Sequence, residues 1–130
     1  MDADRGCGGF LPERSAMIFV TGPLFAGKQE YICRALGLDR DDFEEHCVRD
    51  AEKLAYGAAS PEEMVILADQ LAGKKVVIAS ETGCGVVPVD AEERKKREAA
   101  GRLSCLLAQR ADTVIRVCCG LPQVLKGNML

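Results

Sequence analysis

The chain has no tryptophan, and only two tyrosines and four phenylalanines among its 130 residues. That scarcity excludes a platform of aromatics on which bases could stack. Neither sign of charge dominates: 17 Lys+Arg against 20 Asp+Glu leave a net charge of -3. No basic field is available, so nucleic acid is not an expected partner. No apolar run approaches the roughly 20 residues that a membrane helix needs, and no membrane span is expected. Histidine is almost missing too, with His46 standing alone. Cysteine is plentiful at seven residues, yet the patterns that would give it a task are absent. There is no Cys-x-x-Cys, no Cys/His ligand spacing, and the count is odd. Most of these thiols fall inside apolar segments, which fits reduced, buried cysteines in a cytoplasmic protein. Cys84, between two glycines, is expected on a loop and is also read as structural.

The chemistry that is present begins at Met17. The short apolar run Ile18-Phe19-Val20 leads into Thr21-Gly22-Pro23-Leu24-Phe25-Ala26-Gly27-Lys28-Gln29, a Gly-x-x-x-x-Gly-Lys spacing followed by a helix-compatible segment. Such a loop cradles phosphate: glycines let the backbone turn its N–H groups inward, and a helix N-terminus adds positive potential. Lys28 supplies a mobile charge for the β- and γ-phosphates. Gly22, Pro23, Leu24, Phe25, Ala26, Gly27, Lys28 and Gln29 are therefore the expected nucleotide-binding residues. One position departs from the motif. Ser or Thr usually follows the lysine and gives magnesium a hydroxyl, whereas this chain has Gln29.

Residues 1–16 contain Gly6, Gly8, Gly9 and Pro12, mixed charges and no usable period. They are expected to be a disordered extension without a signal-peptide pattern, with one nucleotide-binding domain over 17–130. Within that domain strand-like and helix-like segments alternate. Gln29 to Leu36 reads as a helix ended by Gly37. Asp39 opens a second helix, with Phe43, Cys47, Ala51, Leu54 and Ala55 on one face, ending at Gly57. Ser60-Pro61-Glu62-Glu63 starts a third, with Met64, Leu67, Ala68 and Leu71 as its apolar stripe. Val76-Val77-Ile78-Ala79 reads as a buried parallel strand. Asp90 and Glu93 form a capping box for a long helix to about Arg110, and Asp112 to Val117 supplies another strand. The expected fold is α/β: a small three-layer, P-loop NTPase-like arrangement with about three strands in a mostly parallel sheet.

A second chemically loaded stretch is Ser80-Glu81-Thr82-Gly83-Cys84-Gly85-Val86-Val87-Pro88. It leaves the carboxyl end of a parallel strand, where open α/β sheets place their ligand contacts. Glu81 is there a candidate to hold Mg2+ or a substrate hydroxyl near the phosphates.

Val76 to Pro88 resembles the strand and loop ending in Glu-Val-Gly-x-Gly-x-Val-Pro in the adenosylcobinamide kinase/adenosylcobinamide-phosphate guanylyltransferase family. Arg97-Glu98-Ala99-Ala100-Gly101-Arg102-Leu103 resembles the family's Arg-Asp-x-x-Gly-Arg-x. Ala111-Asp112-Thr113-Val114 and Gly120-Leu121-Pro122 are similar to its Ala-Asp-x-Val strand and closing Gly-Leu-Pro. The resemblance implies a P-loop fold and a role in corrinoid biosynthesis, with adenosylcobinamide as substrate and ATP or GTP with Mg2+ as cofactors. It also implies a homo-oligomer, as trimers occur in the family, and two reactions: phosphorylation of the aminopropanol hydroxyl, then GMP transfer through a guanylylated histidine.

The chain is far shorter than the family between the phosphate loop and the second motif. A strand with an acidic end and the guanylyl-accepting histidine are expected to be missing. His46, within the second expected helix and flanked by Asp42 and Asp50 at helical spacing, reads as an ordinary histidine rather than a nucleophile. The reading is a purine-nucleotide-binding protein with kinase-like phosphoryl transfer through Lys28 and Glu81. The alternative is a non-catalytic nucleotide- or corrinoid-binding paralogue.

Overall fold

The computed structural model describes residues 17–58, 60–81 and 90–130. The expected extension at 1–16 and the glycine loop at 82–89, with Cys84, lie outside them. The elements in chain order are β1 (Ile18–Gly22), α1 (Lys28–Leu36), α2 (Arg40–His46), β2 (Cys47–Val48), α3 (Ala51–Ala55), α4 (Pro61–Leu71), β3 (Val76–Ser80), α5 (Ala91–Arg110), β4 (Thr113–Cys118) and β5 (Leu121–Lys126). The strands form one sheet in the order β2-β3-β1-β4-β5. All neighbours are parallel except β4 and β5.

Two apolar clusters show why β1 and β3 read as continuous hydrophobic runs. Phe19, Val77, Ala79 and Val114 face one side, covered by Ala51 and Ala55 of α3, Met64, Ala68 and Leu71 of α4, and Leu103 and Leu107 of α5. Ile18, Val20, Val76, Ile78, Ile115 and Val117 face the other, against Ile32 of α1 and Phe43 of α2. Side chains alternate across a strand, so a central strand covered on both faces is apolar at every position. The result is the expected three-layer α/β/α sandwich of the P-loop-like kind.

Three expectations change. The second helix is not continuous: it stops at His46, gives the two-residue edge strand β2, and resumes as α3. Cys47 and Val48 pair with Val76 and Val77 of β3, and sheet hydrogen bonds outweigh the helical spacing of the apolar residues. Asp50, with φ of 57°, makes the sharp turn that a through-helix would not contain. A strand with an acidic end, expected to be missing, is therefore present in shortened form. The second change is β5, an antiparallel edge strand joined to β4 by Cys119 and Gly120, whose φ values of 55° and 75° are both positive, as a two-residue hairpin turn requires. Pro122 is accommodated because β5 lies at the edge. The third concerns Asp90, whose side chain accepts from the Glu92 amide rather than closing a box with Glu93.

The helix caps otherwise follow the sequence. Ser60 accepts from the Glu63 amide, Gly37 ends α1 in a left-handed conformation, and Asp39 and Asp42 form a reciprocal box. The strongly charged first turns of α5 are tied down by Lys96, which stands 5.6 Å from the Tyr56 ring centroid. At the other end Arg110 reaches Asp69 at 2.7 Å and joins α5 to α4.

Candidate functional site at the carboxyl edge of the sheet

β1 ends at Gly22, whose φ of 150° and surroundings leave no room for a side chain: a Cβ there would stand 2.1 Å from the Val117 carbonyl oxygen. This close approach lets the chain leave the sheet between β3 and β4. The Glu81 amide donates to the Gly22 carbonyl at 2.7 Å, pinning the departure from the β3 side. The loop then bulges outward. Phe25 has a φ of 59° and is 100% exposed. Ala26 turns inward, and its carbonyl accepts from the Gly120 amide at 2.8 Å, so the tip of the β4–β5 hairpin braces the loop. Gly27 caps α1 with φ 83°, a left-handed conformation that suits glycine.

Lys28, the first residue of α1, is 8% exposed. The motif reads it as a mobile charge; here its side chain lies inside the curve of the loop. Its Nζ donates to the Pro23 carbonyl at 2.7 Å. Burial lowers the Lys28 pKa from its ordinary 10.5, against the opposing pull of Glu52, Asp50, Glu81 and Glu30. A cation held in a partly desolvated niche among carboxylates is poised to gain from an incoming polyanion.

Glu30 lies in the first turn of α1, and the other three come from the ends of neighbouring strands. Glu52, at the start of α3 after β2, is 4% exposed, and one of its oxygens accepts from the Ser80 amide at 2.9 Å. Glu81 follows β3 and meets Arg116 of β4 in a two-pronged pair, with Nε at 2.6 Å from one oxygen and a terminal nitrogen at 2.9 Å from the other. Gln29 also has a basic partner: its side-chain oxygen accepts from Arg49, just after β2, at 3.3 Å. Among the described residues no group of three or more His, Cys, Asp or Glu side chains could hold a metal ion.

The structure thus brings Gly22 through Gln29 and Glu81 to one edge. It adds Arg49, Asp50, Glu52 and Arg116, which the sequence reading missed. The signal for the first three was the dipeptide Arg49-Asp50 after the apolar Cys47-Val48, hidden by helical spacing on both sides. Nothing local marked Arg116, which sits in an apolar strand.

Beside Glu81, on the face covered by α5, lies a cavity of about 380 Å³ bordered by Phe19, Thr21, Ser80, Gly101, Ser104 and Leu125 among others. His46 is elsewhere. Its carbonyl accepts from the Lys75 amide at 2.9 Å, immediately before β2 and β3 begin, so it marks the amino edge of the sheet. Its ring is half exposed and its nearest carboxylate is Glu45 at 3.7 Å. Cys33, Cys47, Cys105, Cys118 and Cys119 are free thiols, and burial raises the pKa of Cys33 and Cys47.

A glycine loop opening a helix after the central strand of a parallel sheet, with acidic groups on adjacent strand ends, defines a P-loop-like α/β protein. Comparison with known proteins narrows the class. The family model described as cobinamide kinase / cobinamide phosphate guanyltransferase matches residues 43–125, and the chain belongs to this family. The match includes β2, β3, α5 and β4 and begins after the phosphate loop. A curated relative, the bifunctional adenosylcobalamin biosynthesis protein CobP of Pseudomonas aeruginosa, is 38% identical over 61 residues. That alignment covers 47% of this chain and 35% of the relative, so the chain spans about a third of its length. Family membership supports a role in cobalamin biosynthesis. Among the described residues no helix is long and apolar enough to cross a membrane.

Proposed function

We propose that this chain binds ATP or GTP on the loop from Gly22 to Gln29 and phosphorylates a corrinoid alcohol of the adenosylcobinamide type, without the guanylyl-transfer half of the family's chemistry. The observation that carries this reading is the buried Lys28 ammonium inside the glycine loop, among carboxylates that follow β2 and β3. Phosphoryl transfer asks little covalent chemistry of a protein; it needs the reactants in line and the charge on the phosphoryl oxygens stabilised. The loop amides and Lys28 would hold the β- and γ-phosphates, with Lys28 leaving the Pro23 carbonyl for them. The acceptor hydroxyl would attack the γ-phosphorus as the bond to the β-phosphate oxygen breaks. Its proton would pass to Glu81, which Arg116 holds at the mouth of the cavity. That cavity has room for an aminopropanol arm, with the corrin ring remaining outside.

Mg2+ was the expected companion of the nucleotide, with Glu81 as the residue to hold it and Gln29 standing where the motif usually has a hydroxyl. The donor set as arranged does not fit it. Gln29 has no hydroxyl and its carboxamide oxygen already accepts from Arg49. Both Glu81 oxygens accept from Arg116, whose guanidinium puts a positive charge where a metal cation would have to approach, while each oxygen keeps a lone pair for a proton. Glu52 remains as a single buried carboxylate with Lys28 nearby.

These engaged side chains also support the second reading, a nucleotide- or corrinoid-binding paralogue without turnover. Incubating the purified chain with adenosylcobinamide and ATP or GTP separates the two. Transfer of the γ-phosphate to the corrinoid supports the kinase; nucleotide binding without transfer supports the paralogue. A homo-oligomer remains part of the proposal: β5 leaves Leu121 and Leu125 exposed, with Met129 and Leu130 beyond it, an apolar edge that a second copy could cover.

A further inference from the structure

We infer that Arg49 supplies, beside the phosphate loop, the positive charge that a divalent cation would otherwise bring, so that this chain binds nucleoside polyphosphates with little dependence on Mg2+. The inference rests on the nucleotide reading above and concerns what neutralises the phosphates. In a phosphate loop the residue after the lysine points its side chain toward the metal that bridges the phosphate oxygens. Here that residue is Gln29, and the atom at its tip is in hydrogen-bond contact with a guanidinium, Arg49 Nη1 at 3.3 Å. The cation associated with this position is therefore an arginine of the chain itself.

Arg49 suits the task in three respects. It directly follows β2, on the sheet edge that carries the loop, so the fold places it without a mobile lid. It is exposed, and its contact with Gln29 uses one of the five N–H donors of a guanidinium, leaving the others to face phosphate oxygens in the paired geometry that arginine favours. Its contact is with a neutral carboxamide, whereas the other arginine of the edge, Arg116, is engaged with Glu81 in two hydrogen bonds. The same Glu81–Arg116 pair takes up the carboxylate expected as the second metal contact. One arginine thus contacts the tip of the residue that replaces the motif's hydroxyl, and another holds the expected carboxylate.

The experiment is calorimetric titration of the full chain with GTP and with ATP, in buffer containing Mg2+ and in buffer containing EDTA. It is run on the unmodified protein, Arg49→Ala, Arg49→Lys and Gln29→Ser. The unmodified protein should keep its affinity within about threefold when Mg2+ is removed. Arg49→Ala should lose about tenfold or more in EDTA, the scale of one charge-assisted hydrogen bond, and Arg49→Lys should recover part of that loss. Gln29→Ser should make binding more Mg2+-dependent, because it restores a hydroxyl and removes the contact that holds Arg49. Thermal melts of each variant establish that it is folded; Arg49 is exposed, so little change is expected. Binding that falls tenfold or more in EDTA, with Arg49→Ala indistinguishable from the unmodified protein, would overturn the inference and leave the nucleotide reading standing. No binding of either nucleotide in either buffer would overturn the nucleotide reading and the inference with it.

Discussion

The two edges of the sheet carry very different loads. At the carboxyl edge stand the glycine loop, a buried lysine, Asp50, Glu52, Glu81 and two arginines. At the amino edge stand His46, Lys75 and the connections that start the strands. A parallel sheet produces this asymmetry because every parallel strand points its carboxyl end the same way. Residues far apart in sequence, such as Lys28, Glu52 and Glu81, then converge without any of them being near in the chain. Distance along β1 separates the edges: the four steps from Ile18 to Gly22, at about 3.3 Å each, give roughly 13 Å. A group at the amino edge cannot share a phosphate with the loop unless the chain rearranges.

The largest break in the comparison comes from the point where the carboxyl edge is built. Gly22→Ala would set a Cβ 2.1 Å from the Val117 carbonyl, at a φ of 150°. Both the clash and the backbone conformation oppose it, and neighbouring backbone cannot move aside without opening the β1–β4 ladder. The expected loss is about 4 kcal/mol or more, in the range where small domains cease to fold. Denaturant unfolding checks it; a variant within about 1 kcal/mol of the parent would show that the departure from β1 is not fixed by this contact.

Next in size is the removal of the buried charge. Lys28→Met keeps most of the stem's volume and deletes the ammonium. Affinity for ATP or GTP should fall about tenfold or more, as expected for losing a charged donor to phosphate. The melting temperature shows whether the variant is folded, and unchanged affinity would remove Lys28 from the site.

How much of this edge could be read in the chain follows from the range of the signals. The loop was legible because its glycines and lysine are contiguous and their spacing reflects one local backbone shape. Glu81 was legible because a β-branched run announces the strand before it. Glu52 and Arg49 were not, because the strand that places them has only two residues and lies within a stretch whose apolar spacing fits a helix. Pairing of Cys47 and Val48 with β3 is a tertiary event with no local trace. Arg116 was hidden differently: an arginine in an apolar strand has meaning only once Glu81 is known to end the strand two places across the sheet. Lys28 was read at the end of the loop, where the structure has it, yet its burial is a tertiary property that the motif does not carry.

A smaller effect distinguishes Lys28 by its proton. Burial lowers its pKa below 10.5 in the folded protein. Between the lowered value and 10.5 the unfolded chain binds more protons than the folded one. This group's contribution therefore favours folding increasingly as pH rises through that window. Bound phosphate reverses the local balance, because an adjacent anion favours the charged lysine. Nucleotide binding should then take up a proton near the lowered pKa, and affinity should decline as pH rises past it. Titrations at a series of pH values up to 10.5, each in two buffers of different ionisation enthalpy, measure that uptake. Lys28→Met should abolish it, and proton uptake persisting in that variant would assign the linkage to another group.

The smallest expected effect lies at the amino edge, and it sharpens the comparison most. His46→Ala should leave nucleotide affinity and any phosphoryl transfer unchanged, because the residue sits before β2 begins while the loop follows the end of β1. A covalent GMP carrier needs an imidazole nitrogen in line with the α-phosphate and the leaving pyrophosphate stabilised. His46 has neither the position nor a suitable partner: its ring is half exposed at the end of α2, with Glu45 at 3.7 Å as the nearby carboxylate. Incubation with GTP labelled at the α-phosphate should therefore leave no acid-labile label on the protein. Because this is the sole histidine of the chain, the alternative outcome is equally sharp. Label retained on the unmodified protein and lost in His46→Ala would mean that the amino edge of one copy meets the carboxyl edge of another, and the two edges would then form one site shared between subunits.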